Sequence, residues 1–246
     1  MFENTESCVD CWHAISRFVE SWTGVAFELN PESGSINDYE ARVDVKLPIS
    51  IRYWIDFSEK SELISEYFSY RDALEIEWLT DFDSLSILLQ GERDFYWAVK
   101  REDLTQDDPP VTGYCLDYDS VDEQFVEQGE WASSVSSFAL DYLLTYLYSP
   151  DGSFSARFAD AEVTLSQLEQ ELGNSTRFGD LLLLSQGEML IALNSNESNW
   201  NYGRINCYFR EYIAPADLSP LLQKIYENAT IIGGQYALRR NSTDQE

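Results

Sequence analysis

Ser86–Val111 reads SILLQGERDFYWAVKREDLTQDDPPV, and a helix-like run follows it from Ser134 to Tyr148. Leu85 to Leu89 is short and apolar, Gln90–Asp94 supplies a turn, and Phe95–Val99 is the densest aromatic run in the chain. Strand, short turn and strand make the β-hairpin pattern. Asp107-Asp108-Pro109-Pro110 reads as a loop, because each proline removes a backbone donor and restricts the residue before it. Val111 to Tyr118 resumes an extended pattern. Val135, Phe138, Ala139, Tyr142, Leu143 and Tyr146 then recur at helical intervals, closed by Pro150 and Gly152.

Upstream, Val9, Trp12, Ile15, Phe18, Val19 and Trp22 have helical spacing, with Gly24 as a stop. Pro31–Ile36 reads as a loop. Val43, Val45 and Leu47 alternate with Asp44 and Lys46, which predicts a short strand ended by Pro48. Helical turns follow from Ile49 to Phe57 and from Leu63 to Tyr70, and Leu74, Ile76 and Trp78 alternate as in a half-buried strand. Downstream, the expected elements are a helix through Leu165, Leu168 and Leu172, strands Leu181–Leu184 and Met189–Leu193, an extended segment Asn206–Tyr212, a helix from Leu218 to Ile225, and a frayed tail from Gly233. Helices mixed with antiparallel-type strands, without regular βα alternation, predict an α+β fold: a sheet with helices packed on it, comprising a core over 1–155 and a C-terminal extension over 156–246 that is either separate or part of the same domain.

The charge is −28, from 44 acidic against 16 basic residues, with a single histidine. A hydrophobic content of 44%, with 14% aromatics, is enough to fold despite that self-repulsion. The acidic field repels nucleic-acid phosphates and anionic membranes and attracts basic proteins. No apolar run nears the ~20 residues of a membrane span. The first residues, MFENTESCVDCWHA, lack the basic and apolar regions of a signal peptide, so a cytoplasmic protein is expected and the sequons at Asn174, Asn196, Asn228 and Asn241 are read as chance.

Cys8 and Cys11 form a CxxC, with Cys115 and Cys207 distant from it. One pair plus two scattered thiols does not make a zinc set, and no βαβ context supports a redox motif, so reduced structural thiols are expected. The run Asp117–Glu123 lacks the glycine and distant glutamate of a calcium loop. Asp81 and Asp83 make a short DxD that arises readily in so acidic a chain. His13 lies on an amphipathic helix, with no nucleophile elbow or phosphate-cradling loop elsewhere. No metal, no cofactor and no catalytic residue is expected. Gln90-Gly91-Glu92 recurs as Gln186-Gly187-Glu188, each after a leucine pair and before an apolar strand. Duplication of a hairpin would produce this echo, and so would chance.

Three segments together resemble the SUKH superfamily of cell-wall-synthesis regulators and bacterial immunity proteins: Leu47-Pro48 with the aromatic helix behind it (Ile51, Tyr53, Trp54), the hairpin strand Phe95-Tyr96-Trp97-Ala98-Val99, and Ser133–Leu144, SSVSSFALDYLL. The likeness covers residues 8–150. It departs from the family's glycine-rich turn, where this chain has Phe57-Ser58-Glu59-Lys60. The resemblance implies an α+β fold, no catalysis, and a protein-binding role, which in many bacterial members is the neutralisation of nuclease toxins. The contact region expected from the residues is the pair of acidic loops around Val111–Tyr118, with Asp107, Asp108, Asp117, Asp119, Asp122, Glu123 and Phe125 on one face and a basic protein as the partner. The alternatives are a carboxylate-based sugar hydrolase, which needs two converging acids in a concave pocket, and a regulatory or structural subunit.

Overall fold

The structure is a computed structural model that describes residues 5–24, 26–60, 72–90, 94–118, 124–146, 153–157, 163–173, 175–179, 181–186, 189–194, 204–209 and 213–233. The chain divides into two compact units, Met1–Tyr142 and Leu143–Glu246, each built around its own antiparallel sheet. The fold is α+β, and neither sheet closes on itself.

In the first unit, α1 (Cys8–Thr23) opens on a capping box. The Ser7 hydroxyl accepts from the Asp10 amide at 3.2 Å, and the Asp10 carboxylate accepts from the Ser7 amide at 3.2 Å. Its buried face is Trp12, Ala14, Ile15, Phe18 and Val19, and Gly24 ends it at φ 73°. The next helix, α2 (Gly34–Val43), replaces both the expected end of the Pro31–Ile36 loop and the start of the expected strand at Val43. Val43 is buried with Ile36 on one helical face, and the Trp78 indole N–H donates to its carbonyl at 2.8 Å, satisfying a helix end that a strand would not have. The alternation of Val43, Val45 and Leu47 is a coincidence of a helix end and an irregular link.

Helix α3 (Ile49–Lys60) follows Leu47-Pro48 and is buried from Ser50 to Ser58, an all-round burial that requires its charges to be paired. Arg52 meets Glu32 at 3.1 Å and Glu40 at 2.6 Å, and Asp56 meets Lys60 at 2.8 Å while accepting from the Asn30 amide at 2.6 Å. The expected turn at Leu63–Tyr70 lies outside the described residues.

The first sheet contains β1 (Asp72–Ala73), β2 (Trp78–Leu79), β3 (Ser84–Gln90), β4 (Phe95–Lys100), β5 (Val111–Leu116) and β6 (Phe125–Ala132). Its order is β1-β3-β4-β5-β6, with β2 also on β3. The strand expected through Leu74–Trp78 is reduced to two short pieces, and Ile76 is buried between them outside any ladder. Leu85 pairs with Val99 and Leu88 with Trp97 across β3–β4, with a bulge between Ser86 and Leu88. Helix α4 (Val135–Tyr146) packs on this face. Trp97 lies 5.8 Å from Phe138 and 6.5 Å from Tyr142, and Trp54 of α3 lies 5.5 and 5.7 Å from the same two rings.

The second unit has the order β12-β7-β11-β10-β9-β8, from β7 (Ser153–Arg157), β8 (Thr176–Phe178), β9 (Leu181–Gln186), β10 (Met189–Asn194), β11 (Arg204–Phe209) and β12 (Ala229–Gly233). Helices α5 (Leu165–Leu172) and α6 (Pro220–Glu227) contribute Leu168, Leu172, Leu222 and Ile225 to a core with Phe154, Leu184, Ile191, Ile205 and Cys207. The expected boundary at 155/156 falls inside β7, whose ladder partners β11 and β12 both belong to this unit. Among the described residues no helix is long and apolar enough to cross a membrane.

Candidate functional site

The two acidic loops leave β5 at opposite ends. Asp107 and Asp108 precede it and Asp117 follows it, across a strand of 6 residues that spans about 20 Å at ~3.3 Å per residue. Asp119, Asp122 and Glu123 lie outside the described residues. From Phe125 onward the expected acidic loop is strand β6, because Phe125 and Val126 pair with Leu116 and Cys115.

At the first end, Asp107 is exposed and Asp108 turns inward. The Ser136 amide donates to Asp108 Oδ1 at 3.0 Å and the Ser136 hydroxyl to Oδ2 at 2.6 Å. The surrounding backbone completes the joint. The Ser50 amide donates to the Asp107 carbonyl at 3.0 Å and the Val135 amide to the Pro109 carbonyl at 2.9 Å. Residues 107–109 therefore satisfy first-turn amides of both α3 and α4, which no neighbouring turn of those helices could reach. Burial pushes the Asp108 carboxyl above its ordinary value, and the two Ser136 bonds oppose that shift. Asp108 thus serves as a helix cap rather than an outward-facing carboxylate.

Cys8 and Cys11 lie half-buried beside this joint, with the Cys11 thiol against Ser136. Burial raises both thiols, and the Asp108 charge raises them further. That environment is opposite to the electropositive one that activates a redox CxxC.

At the second end, Leu116 donates its amide to the Asp94 carbonyl at 2.8 Å and Asp117 donates to the Gln124 carbonyl at 2.9 Å, which bring the start of β4 beside the β5–β6 turn. The Tyr118 hydroxyl donates to Asp94 Oδ2 at 3.3 Å, and Phe125 meets Tyr96 edge to face at 5.1 Å. Tyr118 is 63% exposed and Val126 40%, so two of the few large hydrophobic side chains exposed among the described residues lie on this hairpin. Cys115 sits below, its thiol raised by burial and then by the Asp94 and Asp117 carboxylates.

Asp94 and Tyr118 belong to this surface and were not among the expected contact residues. Asp94 reads in the sequence as the last turn residue, and Tyr118 as the end of an extended run. The only signals for them were the flanking carboxylates and the aromatic placed among them.

Among the described residues of this unit, four cations are paired with its own carboxylates. Besides Arg52 and Lys60, Lys100 pairs with Glu127 at 2.7 Å, and Arg101 pairs with Asp83 at 2.5 Å while stacking 3.7 Å over the Trp78 ring. The DxD aspartate Asp83 is thereby bound to a guanidinium. Glu102, Asp107 and Glu130 remain exposed around β4–β6, His13 is exposed on α1, and no group of three metal-binding side chains converges among the described residues. Comparisons with protein-family models, curated proteins and solved structures found no match for the chain.

Proposed function

We propose that this is a non-catalytic, cytoplasmic protein-binding module whose acidic surface docks a basic protein, in the sharpest form a nuclease-type toxin whose nucleic-acid-binding face it masks. The observation that carries the reading is the arrangement around the β5–β6 hairpin. Arg52, Lys60, Lys100 and Arg101 are held by carboxylates of the same unit, while the exposed Tyr118 and Val126 lie beside the half-buried Asp94 and Asp117 at one end of β5 and the exposed Asp107 lies at the other. An apolar centre with a charged surround is the composition of a docking surface, and a surface of one sign accelerates encounter with a partner of the other.

Support for the SUKH-like reading comes from the way its three segments meet. Trp54 of the Leu-Pro helix, Trp97 of the hairpin and Phe138 with Tyr142 of the closing helix form one aromatic cluster. The burial-raised carboxyl that a hydrolase would need is found at Asp108, where both oxygens are engaged by Ser136.

The test is cross-linking of the full chain in its native cytosol, followed by purification of the protein recovered and measurement of its binding. A basic partner lost on Asp107→Lys with Asp117→Lys supports the proposal. A neutral or acidic partner, or one indifferent to those changes, contradicts it.

A further inference from the structure

The Gln-Gly-Glu echo has a structural setting that the binding reading does not use. One constant offset along the sequence carries Phe82 onto Phe178, Asp83 onto Gly179, Leu85 onto Leu181, Leu88 onto Leu184, and Gln90-Gly91-Glu92 onto Gln186-Gly187-Glu188. Asp83 and Gly179 both have left-handed backbones, at φ 47° and φ 54°. The links that hold them differ, since Asp83 closes the tight turn Thr80–Phe82 between the paired Leu79 and Ser84 whereas Gly179 follows Phe178, itself paired with Leu181, so what recurs is a left-handed residue two positions before the first buried leucine of the strand. Leu85, Leu88, Leu181 and Leu184 are all buried.

The surrounding elements correspond as well. In the first unit a helix (α3) is followed by β1, which has no counterpart among the described residues of the second unit, and by a short strand (β2), both on β3, then β4 and β5 as an antiparallel meander, and later a helix (α4). In the second, α5 is followed by the short β8 on β9, then β10 and β11, and then α6. The bulge between Ser86 and Leu88 has no counterpart in the regular β9–β10 ladder. The place beside the last meander strand is also filled differently. β6, which follows β5, lies next to it, whereas the strand next to β11 is β7, which comes from in front of the module.

We infer that the two units are copies of one helix–meander–helix module, joined in tandem and since diverged in sequence. The shared part is the meander with its left-handed entry, and the acidic β5–β6 hairpin is a feature of the first copy. The sequence echo is then a remnant of duplication rather than chance.

The test transplants the block Phe82–Glu92 onto positions 178–188 of the full chain, through Gly179→Asp, Asp180→Ser, Leu182→Ser, Leu183→Ile and Ser185→Leu. The fully buried sites 181, 183 and 184 keep leucine or isoleucine, and only the partly buried Leu182 and the exposed Ser185 change character, so amide-exchange protection of β9, β10 and β11 should stay within about tenfold of the parent. The same block with one residue inserted before Leu181 reverses the faces of the strand and should abolish that protection. An in-register transplant that loses as much protection as the slipped one overturns the inference. Should the multiple change prove too disruptive, the single variants decide: Gly179→Asp and Asp83→Gly leave both hairpins protected if the two sites are equivalent, and loss of β9 protection in Gly179→Asp counts against it.

Discussion

The Trp54 indole N–H donates to the Ile87 carbonyl at 2.9 Å, at the point where the β3–β4 register shifts. The bulge takes Ile87 out of the ladder, and a side chain from the Leu-Pro helix supplies the partner its carbonyl would otherwise lack. The same ring packs on Phe138 and Tyr142, so one residue ties α3 to the sheet and to α4. Trp54→Phe keeps most of the packing and leaves the carbonyl unsatisfied, which should cost about 1–3 kcal/mol. Trp54→Ala should cost about 3–5 kcal/mol. Urea unfolding of the two variants separates the hydrogen bond from the ring, and a Trp54→Phe variant as stable as the parent would show that the bond contributes nothing.

Gly113 is required by packing. A Cβ there would lie 2.9 Å from Phe95 Cζ and 3.3 Å from Trp131, inside a stack of aromatic rings. Gly113→Ala should destabilise the first unit by about 1–3 kcal/mol, read as a lower thermal midpoint. An unchanged midpoint would mean that the Phe95 ring moves aside freely.

Asp108 links stability to pH in a stated direction. Its carboxyl is raised in the fold, so between the ordinary value of 3.8 and the raised folded value the native chain binds more protons than the unfolded one. The stability from that proton is fully present below the ordinary value and is lost as pH rises through the folded one. The stability difference between the parent and Asp108→Asn should therefore fall across that window and be flat above it. Asp108→Ala, which also removes the cap, should cost about 0.5–2 kcal/mol. A parent-minus-Asn difference that does not change with pH would show that the carboxyl is not shifted.

The same carboxylate bears on the thiols. Burial and then the Asp108 charge raise Cys8, so a disulfide reagent at neutral pH should modify it slowly in the native chain and faster in Asp108→Asn. Equal rates in the two proteins would remove Asp108 as a cause.

Apart from α2, the described helices and the central hairpin were legible because each carries a local signal: the apolar face of α1 with its stop at Gly24, the short apolar run of β3 before the aromatic run of β4, and the spacing of Leu165, Leu168 and Leu172. What was not legible was decided at a distance. Val43, Val45 and Leu47 alternate like a strand, yet Val43 ends a helix because Trp78 caps its carbonyl from far along the chain. The short strands β7, β8 and β12 exist through their neighbours in the second sheet and have no strong period of their own. Asp108 looked like one more surface acid. Nothing local tells that the amide and hydroxyl of Ser136, reached only after β5 and β6, turn it inward. The exposure of Tyr118 and Val126 is likewise a property of the folded sheet end.

The most direct measurement is the association rate of the purified chain with the basic protein recovered by cross-linking, followed by stopped flow at low and high ionic strength. A carboxylate surface that steers encounter predicts a rate that falls about tenfold or more as salt shortens the range of the field. It also predicts that Asp107→Lys with Asp117→Lys slows association at low salt while leaving the thermal midpoint unchanged or higher, since both changes relieve like-charge repulsion. A rate that is the same at both ionic strengths and in both proteins would contradict the account.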